Sequence, residues 1–278
     1  LRLTVLVDNN TLIDRYFCGE PGVSYLIEDE DKKVLFDVGY TDLFIQNANK
    51  MGLDLLDADF VVLSHGHLDH TWGLLPLTRL FTEAKIEGID HVRPTLVAHP
   101  ETFLTKSIDG LDIGSMLSEN ALSFHFDLRL SREPVQLTEN LLFLGEIKRT
   151  NDFENQEPLG KITKNGSEED DFLMDDSTLV YRSKEGLVII TGCSHAGICN
   201  IVEYAKKIFQ EDRIADIVGG FHLLNPSDSQ LRGTQEYMKE LNPAKVHACH
   251  CTDLKSKIAL SQVVTLEEVG VGLQIEYS

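Results

Sequence analysis

Basic residues are scarce in this chain. Its 278 residues hold 25 Lys and Arg against 45 Asp and Glu, a formal net charge of −20. A surface that acidic repels phosphate backbones and anionic membranes, so a long nucleic acid is not an expected partner. Long apolar runs are missing too. None approaches the roughly 20 residues that a bilayer span requires, and no membrane role is expected. Cysteine is sparse and odd in number: Cys18, Cys193, Cys199, Cys249 and Cys251. Residues Leu1 to Val7 read as a strand and lack the three regions of a secretory leader. Unpaired cysteines without a leader argue against a disulfide framework, and the expected setting is reduced and cytoplasmic. Cys249-His250-Cys251 is also too tight for a structural zinc knuckle, which uses C-x2-C pairs.

What the chain does have is a dense run of metal-friendly side chains, Ser64-His65-Gly66-His67-Leu68-Asp69-His70. Imidazole and carboxylate suit zinc and its first-row neighbours. His65 and His67 stand two apart, so in an extended loop both rings turn to one side. Asp69 and His70 follow at once and diverge, so one loop can serve two ions. Left unpaired inside a fold, these groups would be costly. Asp59 to Leu63 before the run reads as a buried strand, and Thr71 onward, toward Phe81, as a helix. The ligands therefore fall where a strand hands over to a helix, the usual place for sites in layered α/β folds.

The same α/β alternation runs through the chain. Strands are expected at Leu3 to Val7, Val23 to Ile27, Val34 to Phe36, Phe60 to Leu63, Thr95 to Pro100, Leu141 to Gly145, Leu179 to Tyr181, Leu187 to Thr191, Asp216 to Val218 and Lys245 to Ala248. Amphipathic helices are expected at Ile198 to Gln210 and Leu231 to Leu241, with a helix-like segment at Leu254 to Gln262. Phe124 to Leu130 alternates like a half-exposed strand. Residues 100–175 read either as an insertion over the active-site face or as a long, partly disordered loop. The acidic runs Glu28 to Asp31 and Glu168 to Asp171 read as solvated turns.

Strand, H-x-H-x-D-H and helix in this order resemble the metallo-β-lactamase superfamily of hydrolases. Val34-Leu35-Phe36-Asp37-Val38-Gly39 is similar to that family's strand ending in Asp-x-Gly, which implies that Asp37 orients the metal loop through hydrogen bonds. The implied fold is α/β, a four-layer αββα sandwich, with one domain over residues 1–278 and a small α+β element or lid inserted at 100–175. Five further segments narrow the resemblance: Val5 to Asn10, Leu144 to Arg149, Thr191 to Gly197, Gly219 to Leu223 and His250 to Thr252. Together they resemble the subfamily of 7,8-dihydropterin-6-ylmethyl-4-(β-D-ribofuranosyl)aminobenzene-5′-phosphate synthases. Asp253 stands where that family often has glycine.

The resemblance places the remaining ligands in the second half. Where the superfamily carries an aspartate that bridges both metals, this chain has Cys193, which is either a thiolate ligand or a small buried residue. His195, two residues on, is the preferred ligand there. The usual upstream histidine is missing, and Asp175 and Asp176 stand near its place, as carboxylate substitutes or as turn residues. His250 matches the last metal histidine. His247, three residues earlier on the same strand, faces away and is structural, as are His91, His99 and His125. His222 arrives at the same rim, as a general acid, a donor to substrate oxygen or an extra ligand.

The implied function is a hydrolase-fold enzyme with a dinuclear centre. It acts on a phosphate ester or a diphosphate-bearing small molecule, with dihydropterin synthase-like chemistry as a variant. His65, His67 and His195 would hold one divalent ion, and Asp69, His70 and His250 the other. Zinc is expected, with Mn, Fe or Mg as substitutes. Asp69 would also take the nucleophile's proton, and His222 and the amides of Asn9 or Asn10 would orient the substrate. The expected partner is a phosphorylated small molecule, and a homo-oligomer is left open. Two other classes stand beside this reading: a non-catalytic metal-containing binding or sensor protein, and a di-iron redox relative, for which these ligands are poor in carboxylate.

Overall fold

The computed structural model describes residues 1–278. Its first sheet has seven strands in the order Gln274–Glu276, Arg2–Val7, Ser24–Asp29, Lys32–Phe36, Phe60–Val62, Thr95–Ala98 and Asp127–Leu130. The first four pair antiparallel and the last four parallel. The second sheet has six, in the order His247–Cys249, Ile214–Gly220, Gly186–Thr191, Thr178–Ser183, Leu141–Phe143 and Val135–Gln136. The strands that end in candidate ligands are thus parallel neighbours in both sheets.

Alternation along these strands builds three apolar layers. Val5, Tyr25, Phe36, Phe143, Val188 and Val218 meet between the sheets. The opposite face of the first sheet, with Leu6, Leu35 and Leu96, is covered by Phe44 and Ala48 of helix Leu43–Met51 and by Leu74, Leu77 and Phe81 of helix Leu74–Glu87. The opposite face of the second sheet, with Ile189 and Ile217, is covered by Ile201 and Val202 of helix Ile198–Phe209 and by Leu231 and Met238 of helix Asp228–Leu241. Each sheet buries both faces, which is why its central strands carry continuous Val, Ile and Leu rather than alternation with polar residues. The result is a four-layer αββα sandwich. No helix is long and apolar enough to cross a membrane.

Several expectations are corrected. The helix after the histidine run is two helices, Leu68–Thr71 and Leu74–Glu87, parted at Trp72-Gly73. A Cβ on Gly73 would lie 1.9 Å from the Val38 carbonyl oxygen, so the chain passes too close there for any side chain. Phe124 to Leu130 gives a strand only over Asp127–Leu130. The 100–175 stretch divides. Lys106–Ile108, Leu111–Asp112, Lys161–Lys164 and Ser167–Asp170 form a separate four-stranded sheet, while the strands between them belong to the two main sheets. The acidic runs are not wholly solvated. Asp29 is buried and accepts a hydrogen bond from Thr138 Oγ1. Asp171 is buried against Lys106, with Asp171 Oδ2 2.8 Å from Nζ.

Candidate metal centre

The histidine run leaves the carboxyl end of Phe60–Val62, and its last residues enter the one-turn helix Leu68–Thr71. His65 and His67 therefore project from extended chain and Asp69 and His70 from a helical turn. Gly66 between the first two is forced by crowding: a Cβ there would lie 2.2 Å from the Thr102 carbonyl oxygen and 2.9 Å from Lys106 Cε. From the second sheet, His195 follows strand Gly186–Thr191, His222 follows Ile214–Gly220 and His250 follows His247–Cys249. Three parallel strands thus deliver three imidazoles to one edge.

The two ligand sets expected from the sequence are brought together. The ligand atoms of His65, His67 and His195 lie within 4.8 Å of one another, as do those of Asp69, His70 and His250. His65 Nε2 is 3.0 Å from His67 Nδ1 and 3.2 Å from His195 Nε2. Asp69 Oδ2 is 3.3 Å from His250 Nε2 and 3.7 Å from His70 Nε2. Cys193 sits between the sets: its Sγ is 3.2 Å from His70 Nε2 and groups with His65 and His70.

Hydrogen bonds behind the rings decide which nitrogen faces inward. Ser64 Oγ donates to Asp37 Oδ2 at 2.7 Å, so it accepts from His65 Nδ1 at 2.9 Å, and the His65 Nε2 lone pair points to the centre. His70 Nδ1 donates to the same Asp37 oxygen at 2.7 Å, which leaves Nε2 inward. His250 Nδ1 donates to Asn9 Oδ1 at 2.9 Å. Fixing an imidazole from behind in this way is the usual support for a metal ligand. Four residues of the site hold positive φ without being glycine: Asp37 (54°), Ser194 (62°), His222 (48°) and His250 (47°). Strain of this kind costs about 1–3 kcal/mol per residue and collects where geometry serves a site.

The electrostatics fit a cation. Burial holds His65 and His195 well below the ordinary histidine range and takes His67 down to about 3. They are neutral donors, the form a metal needs. A single His65 lone pair faces two other ring nitrogens, and a cation among the three would accept all three pairs at once. Burial opposes charge on His70, but Asp69 and Asp37 outweigh it and lift His70 to about 9. Burial likewise opposes ionisation of Asp69, yet His70 and His250 hold it well below the usual carboxylate range.

Other candidates fall in different places. His222 lies beside His195, ring centroids 4.1 Å apart, and its buried Nδ1 has no partner. Asp175 does not face the ligands: Oδ2 accepts from the Gly66 amide at 2.8 Å and Oδ1 from Lys106 Nζ at 2.9 Å. Asp176 Oδ2 accepts from the Ala196 amide at 2.9 Å and so braces the His195 turn. Asn9 is engaged with His250 through its side chain, and Asn10 donates its backbone and side-chain amides to Asp8. His247 turns away and bonds Asp216 at 2.9 Å. His99 contacts Glu146 and Arg132, and the His91 ring packs on Phe81.

Sequence reasoning missed Cys251. Its Sγ accepts from the His222 amide at 3.2 Å and groups with Cys193 and His250. Burial disfavours its thiolate, but Cys193, His250 and His222 outweigh burial and pull it well below the ordinary thiol range. Setting Cys249-His250-Cys251 aside as too tight for a knuckle hid this, because just one of its cysteines points at the centre. Asp8 was missed as well. It is buried and accepts from the His250 amide at 2.9 Å.

Comparison with known proteins gives one family. The sequence model described as the metallo-beta-lactamase superfamily matches residues 19–209. An uncharacterized protein of Methanocaldococcus jannaschii is 32% identical over 263 residues, 94% of each chain. The 7,8-dihydropterin-6-methyl-4-(beta-D-ribofuranosyl)-aminobenzene-5'-phosphate synthase of the same organism is 27% identical over 267 residues, 92% of this chain and 89% of its own. The crystal structure of Tm1679, a metal-dependent hydrolase of the beta-lactamase superfamily, is similar at a TM-score of 0.84 and 32% identity, over 100% of this chain and 99% of that one.

Proposed function

The chain belongs to the metallo-beta-lactamase superfamily and has its fold, and from that premise we propose that it is a metal-dependent hydrolase of a small phosphate ester. One observation carries the reading: neutral, buried imidazoles from both sheets converge with Asp69 on one edge, and their lone pairs face one another. His65, His67 and His195 would hold one divalent ion and Asp69, His70 and His250 a second. Cys193 is placed to touch either. Zinc suits this mixture of imidazole, carboxylate and thiol. When bound, the ions supply positive charge that acidifies water and stabilises the negative charge developing on a phosphoryl group.

The chain's own groups do the rest. Asp69 is 24% exposed, so its carboxylate is open to take a proton from an attacking water. His222 lies beside His195 with a free Nδ1. Burial works against its charge, but the contact with Cys251 raises its pKa above the ordinary value, so it is suited to donate to a substrate oxygen. The synthase relative supports a second reading, in which the same residues serve a dihydropterin-forming synthase reaction.

The test is elemental analysis of protein purified without tag or chelator, paired with turnover of bis(p-nitrophenyl) phosphate. About two ions per chain and chelator-sensitive turnover are expected. One ion or none, unrestored by added Zn2+ or Mn2+ and without turnover, would favour the binding or sensor class. A visible absorption band from bound iron would favour the redox class.

A further inference from the structure

Two clefts each take candidate ligands of the centre into their walls, and their linings differ. One, of about 440 Å³, is bounded by Pro21, Tyr40, Leu68 and Ile113, with His67 and Asp69 at its inner end. The other, of about 340 Å³, is bounded by Asp152, Asn155, Gln156, Glu157, Ser227 and Gln230, with His195 and His222 at its inner end. Both fall within the usual range of small-molecule pockets, about 300–1,000 Å³.

The first cleft is an aromatic shelf. Tyr40 is 39% exposed, yet it is held in place. Its ring stacks on Trp72 at 5.0 Å and 22°, Trp72 Nε1 donates to the Gly114 carbonyl at 2.8 Å, and the Tyr40 amide donates to Glu20 at 3.0 Å. A rigid aromatic face beside a reactive centre favours a planar ring. The second cleft has carboxylates, amides and hydroxyls but no Lys or Arg among its lining residues. It favours a polar end that is neutral or cationic and disfavours a second anionic group. Each cleft is also lined by a histidine whose buried ring nitrogen has no protein partner, Nε2 in His67 and Nδ1 in His222.

We propose that the substrate is a two-ended phosphodiester whose planar group lies on the Tyr40 shelf and whose polar, non-anionic group fills the Gln230 cleft. This rests on the hydrolase reading. A monoester would leave one cleft empty. In the reaction, water oxygen bonds to phosphorus and the P–O bond to one substituent breaks, its electron pair leaving on that oxygen. One water proton passes to Asp69, and the other stays with the phosphate product and is released to solvent.

Three chromogenic probes test this on the metal-loaded protein: p-nitrophenyl phosphate, bis(p-nitrophenyl) phosphate and p-nitrophenyl phosphorylcholine. The phosphorylcholine diester is expected to have the highest kcat/KM, about tenfold or more above the monoester. Tyr40→Ala should raise KM for both diesters by about fivefold with a smaller effect on kcat. Gln230→Ala should shrink the preference for the choline diester over the bis-aryl diester. Trp72 is the only tryptophan of the chain, so binding can be read without turnover. The choline diester should quench its fluorescence saturably, and phosphorylcholine alone should not, with free tryptophan amide correcting for absorbed light. A monoester that matches the diesters, or an unchanged KM in Tyr40→Ala, overturns the proposal and leaves the hydrolase reading standing. Saturable quenching without turnover of any probe overturns the hydrolase reading and keeps the two-ended ligand. Absence of both quenching and turnover overturns both.

Discussion

His70 Nδ1 donates to Asp37 Oδ2 across 2.7 Å, and both side chains are fully buried. The same oxygen receives Ser64 Oγ, and Oδ1 receives the Ser64 amide at 2.7 Å. One carboxylate thus sets the ring of His70 directly, sets that of His65 through Ser64, and pins the strand end from which both ligands depart. Asp37→Ala is expected to weaken metal binding by about 10–100-fold, and to weaken both ions rather than one. Competition with a coloured chelator, followed by elemental analysis, measures this. Wild-type affinity in the variant would remove Asp37 from the design.

His67→Ala removes a proposed ligand and part of the cleft beside Tyr40. Metal content and turnover should fall together. Full activity at normal metal content would contradict the ligand assignment. Chelation of the wild type should do the same reversibly and lower the melting temperature, with recovery on adding Zn2+.

Lys106 is fully buried between Asp171 and Asp175, at 2.8 and 2.9 Å. Lys106→Met leaves two carboxylates buried without their cation, and a loss of about 3–5 kcal/mol in denaturant melts is expected. The loss should depend on pH. Burial pushes Asp175 up, but Lys106 outweighs it and holds the acid below its ordinary value. Asp175 therefore adds stability above about pH 4, lost as pH falls through its folded value. Burial also works against charge on Lys106, but Asp175 and Asp171 raise its pKa. Its share is present below about pH 10.4 and lost as pH rises through the folded value. The gap between wild type and variant should be widest near neutrality and should close in acid.

Burial drives Asp176 the other way, up to about 7, and its Oδ1 has no partner. An acid raised on folding subtracts stability as pH climbs from its unfolded value to its folded one. In chelator-treated protein, Asp176→Asn should melt above wild type at about pH 8 and level with it near pH 4. The Asn oxygen can still accept the Ala196 amide. A variant melting below wild type at both values would mean that the charge is used.

Glu154 is buried at the start of helix Ile198–Phe209, accepting the amides of Cys199 at 2.9 Å and Asn200 at 3.0 Å. That helix has no acidic residue in its own first turn, so the cap comes from elsewhere in the chain. Glu154→Ala should cost about 1–2 kcal/mol in denaturant melts. A smaller loss would assign the helix start to its other contacts.

The strands and the histidine run were legible in the sequence because they follow from short-range pattern, whereas the four-layer arrangement and the second-half candidates came from the resemblance to the superfamily. Buried strands at Phe60–Val62 and Gly186–Thr191 are apolar runs, and the ligands follow within a few residues of where those runs stop. What stayed hidden depends on distant partners. Asp8 reads as a polar residue after a strand until His250 is seen to donate its amide to it. Cys251 looks like half of a poor knuckle until the strand ending at Gly220 brings His222 beside it. Asp171 reads as the tail of an acidic loop because Lys106, far off in sequence, supplies its charge partner. The short helix Glu119–Leu122 has too few residues to show a period at all.

Each ligand set draws residues from both sheets, and that has a topological consequence. His65 and His195 are 130 positions apart, and His70 and Cys193 are 123 apart. An ion shared across such a separation closes a loop through much of the chain, as a cross-link would. By the loop-closure arithmetic used for disulfides, a tie across about 100 residues removes roughly 4.7 kcal/mol of freedom from the unfolded chain. In the proposed centre that tie would be reversible, made and undone by free metal concentration, so the supply of ions would set how firmly the two halves are held together.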